Sequence, residues 1–337
     1  FDRTGLAGGK ISVFAGDYRT FETPQYMSSL TILNAPVPAA GLPKDALGRL
    51  FQSLRPYGGS LLIPYAAETE RMLHGLLAGA DFHGAGLRKS GNYLVLSREG
   101  PLQGAGVWTH NLGNAANTAK SNDDLVKLPL GVLWFGGSSN LDVLPRHAHG
   151  PSEQVIGGRL FIQGIDCLGA RDVYTGRVLW KTMLHDLDTY GVYYDETYRE
   201  TPTSTSYNQV HIPGANARGA NFTAAEDRVY VIQRDGCHAL DPVTGKTLGI
   251  FTFLPDTTKA KGYRPDWGYI GVYGKYLIAG RDYVPFTEIL AKGRNERSPF
   301  ENFDRVASRS LVVMDRFTGK TLWMIDSQIG FLHNGTA

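Results

Sequence analysis

The sequence predicts a mainly β chain: its larger part is built from a repeated antiparallel unit, and a smaller α/β unit precedes it. Three observations carry this. A nine-residue stretch occurs three times, as Asp172-Val-Tyr-Thr175-Gly176-Arg-Val-Leu-Trp180, Asp241-Pro-Val-Thr244-Gly245-Lys-Thr-Leu-Gly249 and Asp315-Arg-Phe-Thr318-Gly319-Lys-Thr-Leu-Trp323. Each copy follows one short apolar run and opens another, so each reads as a hairpin. Residues 1 to about 107 instead alternate strand-like and helix-like patterns.

The turn chemistry justifies the hairpins. Asp accepts hydrogen bonds from the turn's backbone N–H groups, and Gly supplies the left-handed residue that a type I turn with a G1 bulge requires. Each copy has an upstream partner: Gly158–Gln163, Asp227–Gln233 and Gly274–Ala279. A polar turn follows the first two partners. The unit is therefore strand, turn, strand, Asp-x-x-Thr-Gly turn, strand, which is most of a four-stranded propeller blade.

The pattern Ala/Leu-x-Asp-x-x-Thr-Gly-Lys-x-x-Trp resembles the repeat of the quinoprotein-like (PQQ-like) β-propellers, and the resemblance implies that the Trp docks between neighbouring blades. The middle copy has Gly249 at the Trp position, so that contact is expected to be filled from elsewhere. The copies lie 69 and 74 positions apart. A minimal blade needs about 40–50 residues, which leaves long loops or degenerate blades between them. The implied fold is a partial propeller over 108–337.

In residues 1–107, strands are expected at Lys10–Ala15, Leu30–Leu33, Ser60–Ile63 and Tyr93–Ser97, with helices at Lys44–Leu54 and Glu68–Leu77. The order strand, Gly16-Asp17, strand, helix, Leu54-Arg-Pro-Tyr-Gly-Gly59, strand resembles the C-terminal half of a class I S-adenosylmethionine-dependent methyltransferase. This is a Rossmann-like α/β half-domain. The resemblance implies that Asp17 ends a strand near the cofactor's adenine. No Gly-rich loop and no ribose-binding acid precede it, and Ser28-Ser29 stands where the family often has Asp.

Glu99–Gly106 is a Gly/Pro-rich connector. Trp108-Thr-His110-Asn-Leu-Gly-Asn114-Ala-Ala-Asn117-Thr118 resembles the opening segment of quinoprotein-like propellers. Leu130–Phe135 is expected as a buried strand. In Arg146-His147-Ala-His149-Gly-Pro151, the two histidines share a face if extended. Imidazole binds metals well, yet a transition-metal site needs three or four ligands. His110, His211 and Asp166 are the candidate partners, and spacing supports none of them.

Two polar excursions separate the repeats. Tyr190–Asn221 ends in a Gly-, Asn- and Arg-rich stretch suited to left-handed turns; such loops line the cofactor site of quinoprotein enzymes or simply cover the funnel. Tyr283–Arg309, with Arg281 just before it, mixes Arg281, Lys292, Arg294, Arg297, Arg305 and Arg309 with four acids. That mixture marks a solvated surface loop. Cys167 and Cys237 occupy nearly equivalent places in the first two repeats and read as small buried blade residues.

A net charge of +2 gives no reason to expect nucleic acid. No run of about 18 apolar residues suggests a membrane span. A chain that opens on Phe1 and closes just after a blade turn reads as a fragment of a multidomain bacterial protein. The resemblances place that protein in the periplasm or cell envelope. Three functions stay open: a propeller binding or scaffold module with a small-molecule or protein ligand at its face, S-adenosylmethionine-dependent methyl transfer in the intact parent, and PQQ-dependent dehydrogenation. The last lacks an adjacent cysteine pair and a haem-binding Cys-x-x-Cys-His.

Overall fold

The computed structural model describes residues 11–34, 37, 41–79, 82–136, 142–143, 152–164, 166–185, 187, 221–284 and 307–332. The chain divides into two units, Phe1–Gln103 and Gly104–Ala337.

The first unit contains β1 (Leu30–Ile32), α1 (Lys44–Ser53), β2 (Gly59–Pro64), α2 (Ala67–Leu77), β3 (Ala85–Ser90) and β4 (Tyr93–Arg98). Helix α1 buries Ala46, Leu47, Leu50 and Phe51, the i, i+1, i+4, i+5 stripe of an amphipathic helix. It stops at Leu54, in extended backbone just before Arg55-Pro56. Gly59 then threads between backbones: a Cβ there would lie 2.5 Å from the Arg55 carbonyl oxygen and 2.9 Å from that of Ser28. Strand β2 buries Leu61 and Ile63 in alternation. The sheet order is β1-β2-β4-β3. Strand β1 runs parallel to β2, while β4 is antiparallel to both of its neighbours. Strand β3 was not expected: Ala85 and Leu87 pack on the core, but Gly86 and the polar Arg88-Lys89-Ser90 end hide the alternation.

The strand expected at Lys10–Ala15 is absent from the described residues of that stretch: 12–15 carry no regular structure, and Val13 and Phe14 are exposed. The apolar pattern is there, but beyond an isolated bridge at Ile11 no ladder forms among the described residues of the stretch. Phe14 instead packs locally on Phe21, ring centroids 5.7 Å apart.

The second unit has a β-propeller-type fold. Blade 1 comprises β5 (Gln154–Ile156), β6 (Arg159–Gln163), β7 (Cys167–Asp172) and β8 (Val178–Met183). Blade 2 comprises β9 (Phe222–Ala224), β10 (Val229–Gln233), β11 (Gly236–Leu240) and β12 (Thr247–Phe251). Blade 3 comprises β13 (Trp267–Tyr273), β14 (Tyr276–Tyr283), β15 (Ala307–Asp315) and β16 (Thr321–Leu332). Each is a four-stranded antiparallel meander in sequence order. One apolar core joins blade 1 (Phe161, Leu168, Ala170, Trp180) to blade 2 (Phe222, Val229, Val231). A second joins blade 2 (Tyr230, Ile232, Phe251) to blade 3 (Trp267, Leu277, Ala279, Met314).

Leu130–Phe135, expected as a buried strand, has no regular structure. Leu130, Val132 and Leu133 are exposed, and Phe135 is 92% exposed. Only Trp134 is engaged, and what engages it is a blade turn.

Candidate functional site

The repeated turn is built alike in all three blades. One Asp carboxylate oxygen accepts from the next two turn N–H groups: Asp172 from Tyr174 and Thr175 at 3.0 Å, Asp241 from Val243 and Thr244 at 2.7 and 2.8 Å, and Asp315 from Phe317 and Thr318 at 3.0 and 2.9 Å. Gly176, Gly245 and Gly319 stand at φ of 69, 70 and 71°. Each donates its N–H to the Asp carbonyl at 2.8 Å. A register shift in the ladder beside each turn marks the extra residue of a bulge. The Thr318 hydroxyl, and then its backbone N–H, hold the Asp315 carboxyl below its ordinary range. These carboxylates are spent on their own turns.

Each turn glycine is also a seat for an aromatic ring. Trp180 of blade 1 lies over Gly245 of blade 2 and donates its indole N–H to Pro242 O at 3.0 Å. Trp134 lies over Gly176 and donates to Val173 O at 2.9 Å, the same position one residue after the turn Asp. With Gly249 in place of Trp, blade 2 sends Phe251 onto Gly319 of blade 3. A Cβ on any of the three glycines would fall well inside van der Waals contact with the ring. Among the described residues no turn glycine seats Trp323, which is 49% exposed.

The segment Trp108–His110 ties the inner strands together. Trp108 exchanges two backbone hydrogen bonds with Val155 of β5, at 2.8 and 2.6 Å. The Thr109 carbonyl accepts from the Thr223 hydroxyl of β9 at 3.1 Å. His110 Nε2 accepts from the Val272 N–H of β13 at 3.1 Å. Three consecutive residues thus hold three consecutive blades. Burial pushes the His110 pKa down to about 4. With Nε2 an acceptor, Nδ1 carries the proton and donates to the Thr109 hydroxyl at 2.8 Å. The Gln154 amide likewise bridges β5 and β9, donating to Phe222 O and accepting from Ala224 N–H.

Arg281, grouped by sequence with a solvated loop, is instead buried, 7% exposed at the end of β14. Among the described residues its guanidinium makes only long ion pairs, short of the close pairing a buried charge requires. The nearest carboxylate oxygens, of Asp256 and Asp282, stand 3.9 and 4.0 Å away, beyond hydrogen-bond length. Nη1 reaches the Met324 sulfur at 3.5 Å, and among the described residues Nε has no hydrogen-bond partner. Arg281 lines a cavity of about 470 Å³ walled by Phe253, Val312 and Met324, with Asp256, Thr258 and Asp326 as its polar groups. The Thr258 hydroxyl, and then its N–H, keep the Asp256 carboxyl below the usual range. Asp282 is a non-glycine residue in left-handed backbone, φ 54°; such conformations cluster at binding and active sites. With two or three carboxylates around one guanidinium, the cavity disfavours a full anion. It suits a group that offers Arg281 an acceptor and the carboxylates a donor. A sequence signal existed: Arg281 directly continues the Leu-Ile-Ala-Gly run of β14.

The other sequence candidates do not join this cavity. Asp17 lies at a tight turn rather than at a strand end, because the strand expected before it is not formed. The Arg19 side chain donates to its carboxylate at 2.9–3.0 Å and the Arg19 N–H at 2.9 Å, holding its pKa near 2. His147, His149 and His211 lie outside the described residues, as do 188–220 and 285–306 of the polar excursions. His110 is committed to Val272, and Asp166 lies 3.7 Å from His185. Cys167 and Cys237 are buried free thiols on different blades, and burial raises both pKa values. Among the described residues no helix is long and apolar enough to cross a membrane.

No protein-family model matches the chain, and no curated protein matches it. Solved structures do. A europium-containing methanol dehydrogenase is 18% identical, with 66% of this chain and 32% of that one covered and a TM-score of 0.38. For the quinohemoprotein alcohol dehydrogenase ADHIIG from Pseudomonas putida HK5 the values are 16%, 56%, 21% and 0.32. For BamB from Moraxella catarrhalis they are 15%, 50%, 34% and 0.27. The chain spans about a third or less of the length of these proteins. The blade assignment rests on the three sheets and their shared register.

Proposed function

We propose that the bladed unit is a binding module whose ligand, a small molecule or a segment of a partner protein, seats in the Arg281 cavity. The ligand group there is a neutral donor–acceptor pair, such as a peptide amide or a hydroxyl: its oxygen meets the guanidinium and its N–H or O–H meets Asp256 or Asp326. One observation carries this reading: among the described residues the buried Arg281 guanidinium makes no hydrogen bond to an oxygen, and it lines a cavity. An unmade hydrogen bond to a buried charged group costs more than about 1–3 kcal/mol, and a ligand that makes it recovers that energy. The test is a thermal-shift screen with two probe sets, blocked dipeptide amides and simple sugars. A saturable rise in Tm is expected for wild type and is lost in Arg281→Met, which keeps the volume of the stem. An equal shift in both proteins, or none in wild type, rejects the assignment.

A second reading concerns residues 1–107, as the C-terminal part of a methyltransferase-like unit. It is supported by the helix–Leu-Arg-Pro-Tyr-Gly-Gly–strand order and by β2 lying centrally between a parallel and an antiparallel neighbour. Asp17 speaks against a cofactor contact, since Arg19 already occupies its carboxylate. Calorimetric titration with S-adenosylmethionine tests the reading, and silence rejects it for this chain. Pyrroloquinoline quinone fits less well: the two cysteines are buried on separate blades rather than adjacent. Titration with that quinone plus calcium is expected to give no heat.

A further inference from the structure

The two carboxylates that stand near Arg281 are both engaged elsewhere, and by one short segment. Between β12 and β13 the chain runs through Asp256–Tyr263 in two successive turns. Lys259 N–H closes the first on Asp256 O at 3.2 Å, and Tyr263 N–H closes the second on Ala260 O at 3.0 Å. At one end of this strap the Thr258 hydroxyl and N–H donate to Asp256 Oδ1 at 2.6 and 2.9 Å. At the other the Tyr263 hydroxyl donates to Asp282 Oδ1 at 2.5 Å, and the Asp266 N–H adds a bond at 3.2 Å. In both residues the other oxygen, Oδ2, is the one near the guanidinium. It lies 3.9 Å from Nη2 for Asp256 and 4.0 Å from Nε for Asp282. Each gap is about 1 Å longer than a charge-assisted hydrogen bond.

We infer that Thr258 and Tyr263 are positioning residues of this cavity: they hold Asp256 and Asp282 off Arg281 and so keep the guanidinium open to a ligand's acceptor. That role presupposes the Arg281 cavity as the binding site proposed above, and it adds what keeps the site from closing on itself. Opposite charges about 4 Å apart in a buried setting attract strongly. A carboxylate free to swing would shorten the pair to bonding length and leave the ligand nothing to meet. Tyr263 is the hold whose loss frees most. Without its hydroxyl, Asp282 Oδ1 keeps only the Asp266 N–H at 3.2 Å; without the Thr258 hydroxyl, Asp256 Oδ1 still has an N–H at 2.9 Å. Burial, and then the bond to Asp282, raise the Tyr263 pKa, so the phenol keeps the proton it donates. The Asp282 backbone is fixed as well, in the left-handed region at φ 54° with its N–H on Asp266 O at 2.9 Å.

The first test needs no ligand. Tyr263→Phe is made in the wild-type chain and in Arg281→Met, and the Tm of each protein is measured. Once the hydroxyl is gone, Asp282 closes on Arg281 and recovers part of the loss; in Arg281→Met it has no such partner. The Tm drop caused by Tyr263→Phe is therefore expected to be about 2–4 °C deeper in the Arg281→Met background. An equal or shallower drop there overturns the inference. Tyr263 is 36% exposed, so losing its hydroxyl empties no core; should the variant fail to fold, Thr258→Val repeats the comparison through Asp256. The second test uses the blocked dipeptide amide or sugar that shifts wild type. Tyr263→Phe is expected to weaken that probe about tenfold, because only molecules with an unpaired Arg281 bind it. Tyr263→Phe/Asp282→Asn is expected to restore it, since a neutral amide competes weakly for the guanidinium. Unchanged affinity in Tyr263→Phe, or a loss that Asp282→Asn does not restore, overturns the inference. A wild type that binds no probe rejects the cavity as a binding site, and the Tm comparison still decides whether the strap holds Asp282 off Arg281.

Discussion

Trp180 and Trp323 hold the same place in the same repeat, eight residues after the turn Asp, yet one is 8% exposed and the other 49%. Their own strands are alike: each pairs across to a small or β-branched residue of the third strand, Ala170 or Val313. The difference lies in the neighbour. Blade 2 brings Gly245 and the Pro242 carbonyl to Trp180, and nothing described brings the equivalent to Trp323. Burial in a repeat fold is thus a property of the junction and not of the strand that supplies the side chain.

Stability measurements on matched substitutions can break this comparison. Trp180→Ala is expected to cost about 3–5 kcal/mol in urea unfolding, the usual range for emptying a buried Trp site. A cost near that of an exposed residue would mean that blades 1 and 2 are not packed as described. Gly245→Ala should cost about 2–3 kcal/mol. The left-handed backbone alone accounts for about 1, and displacement of the Trp180 ring for the rest. Double-mutant analysis with Trp180→Ala should show strong coupling, because without the ring only the backbone term is left.

His110 sharpens the comparison from the inner side. Its folded pKa of about 4 lies below the ordinary histidine value of 6.5, so the folded state prefers the neutral ring. The stability this contributes is present above pH 6.5 and is lost as the pH falls toward 4. The loss is on the order of 2–3 kcal/mol. His110→Asn should flatten that part of the pH–stability curve, and an unchanged slope would contradict the neutral, buried assignment. Asp172→Ala should cost about 1–2 kcal/mol by stranding two turn N–H groups, whereas Asp315→Ala, at an exposed turn, should cost less. Trp323→Ala should be smallest, within about 0.5 kcal/mol. A large loss there would show that the face is covered in solution.

What the sequence disclosed was what local chemistry decides. Asp, Thr and Gly at fixed spacing specify a turn whatever surrounds it, so the three hairpins could be read directly. The same holds for α1, with its apolar stripe, and for its end at Leu54-Arg-Pro. Strands that depend on a partner were less legible. Lys10–Ala15 and Leu130–Phe135 have strand-like composition, but β structure requires a hydrogen-bonded neighbour, which composition does not report. The candidate site was hardest. Arg281 looked like one more charge beside a charged loop, because its burial comes from Phe253 and Met324, far along the chain in either direction. Phe251, the substitute for the missing Trp, stands two residues beyond Gly249; only the register of β11 against β12 brings it to Gly319.

The bond between His110 and Val272 spans 162 residues. It cannot form until Val272 has left the ribosome, although His110 was made long before. During synthesis the segment that joins the three inner strands therefore waits, first for β5, then β9, then β13. Trp108 can cover β5 as soon as blade 1 is made, whereas His110, two residues later, stays without its partner until β13 arrives.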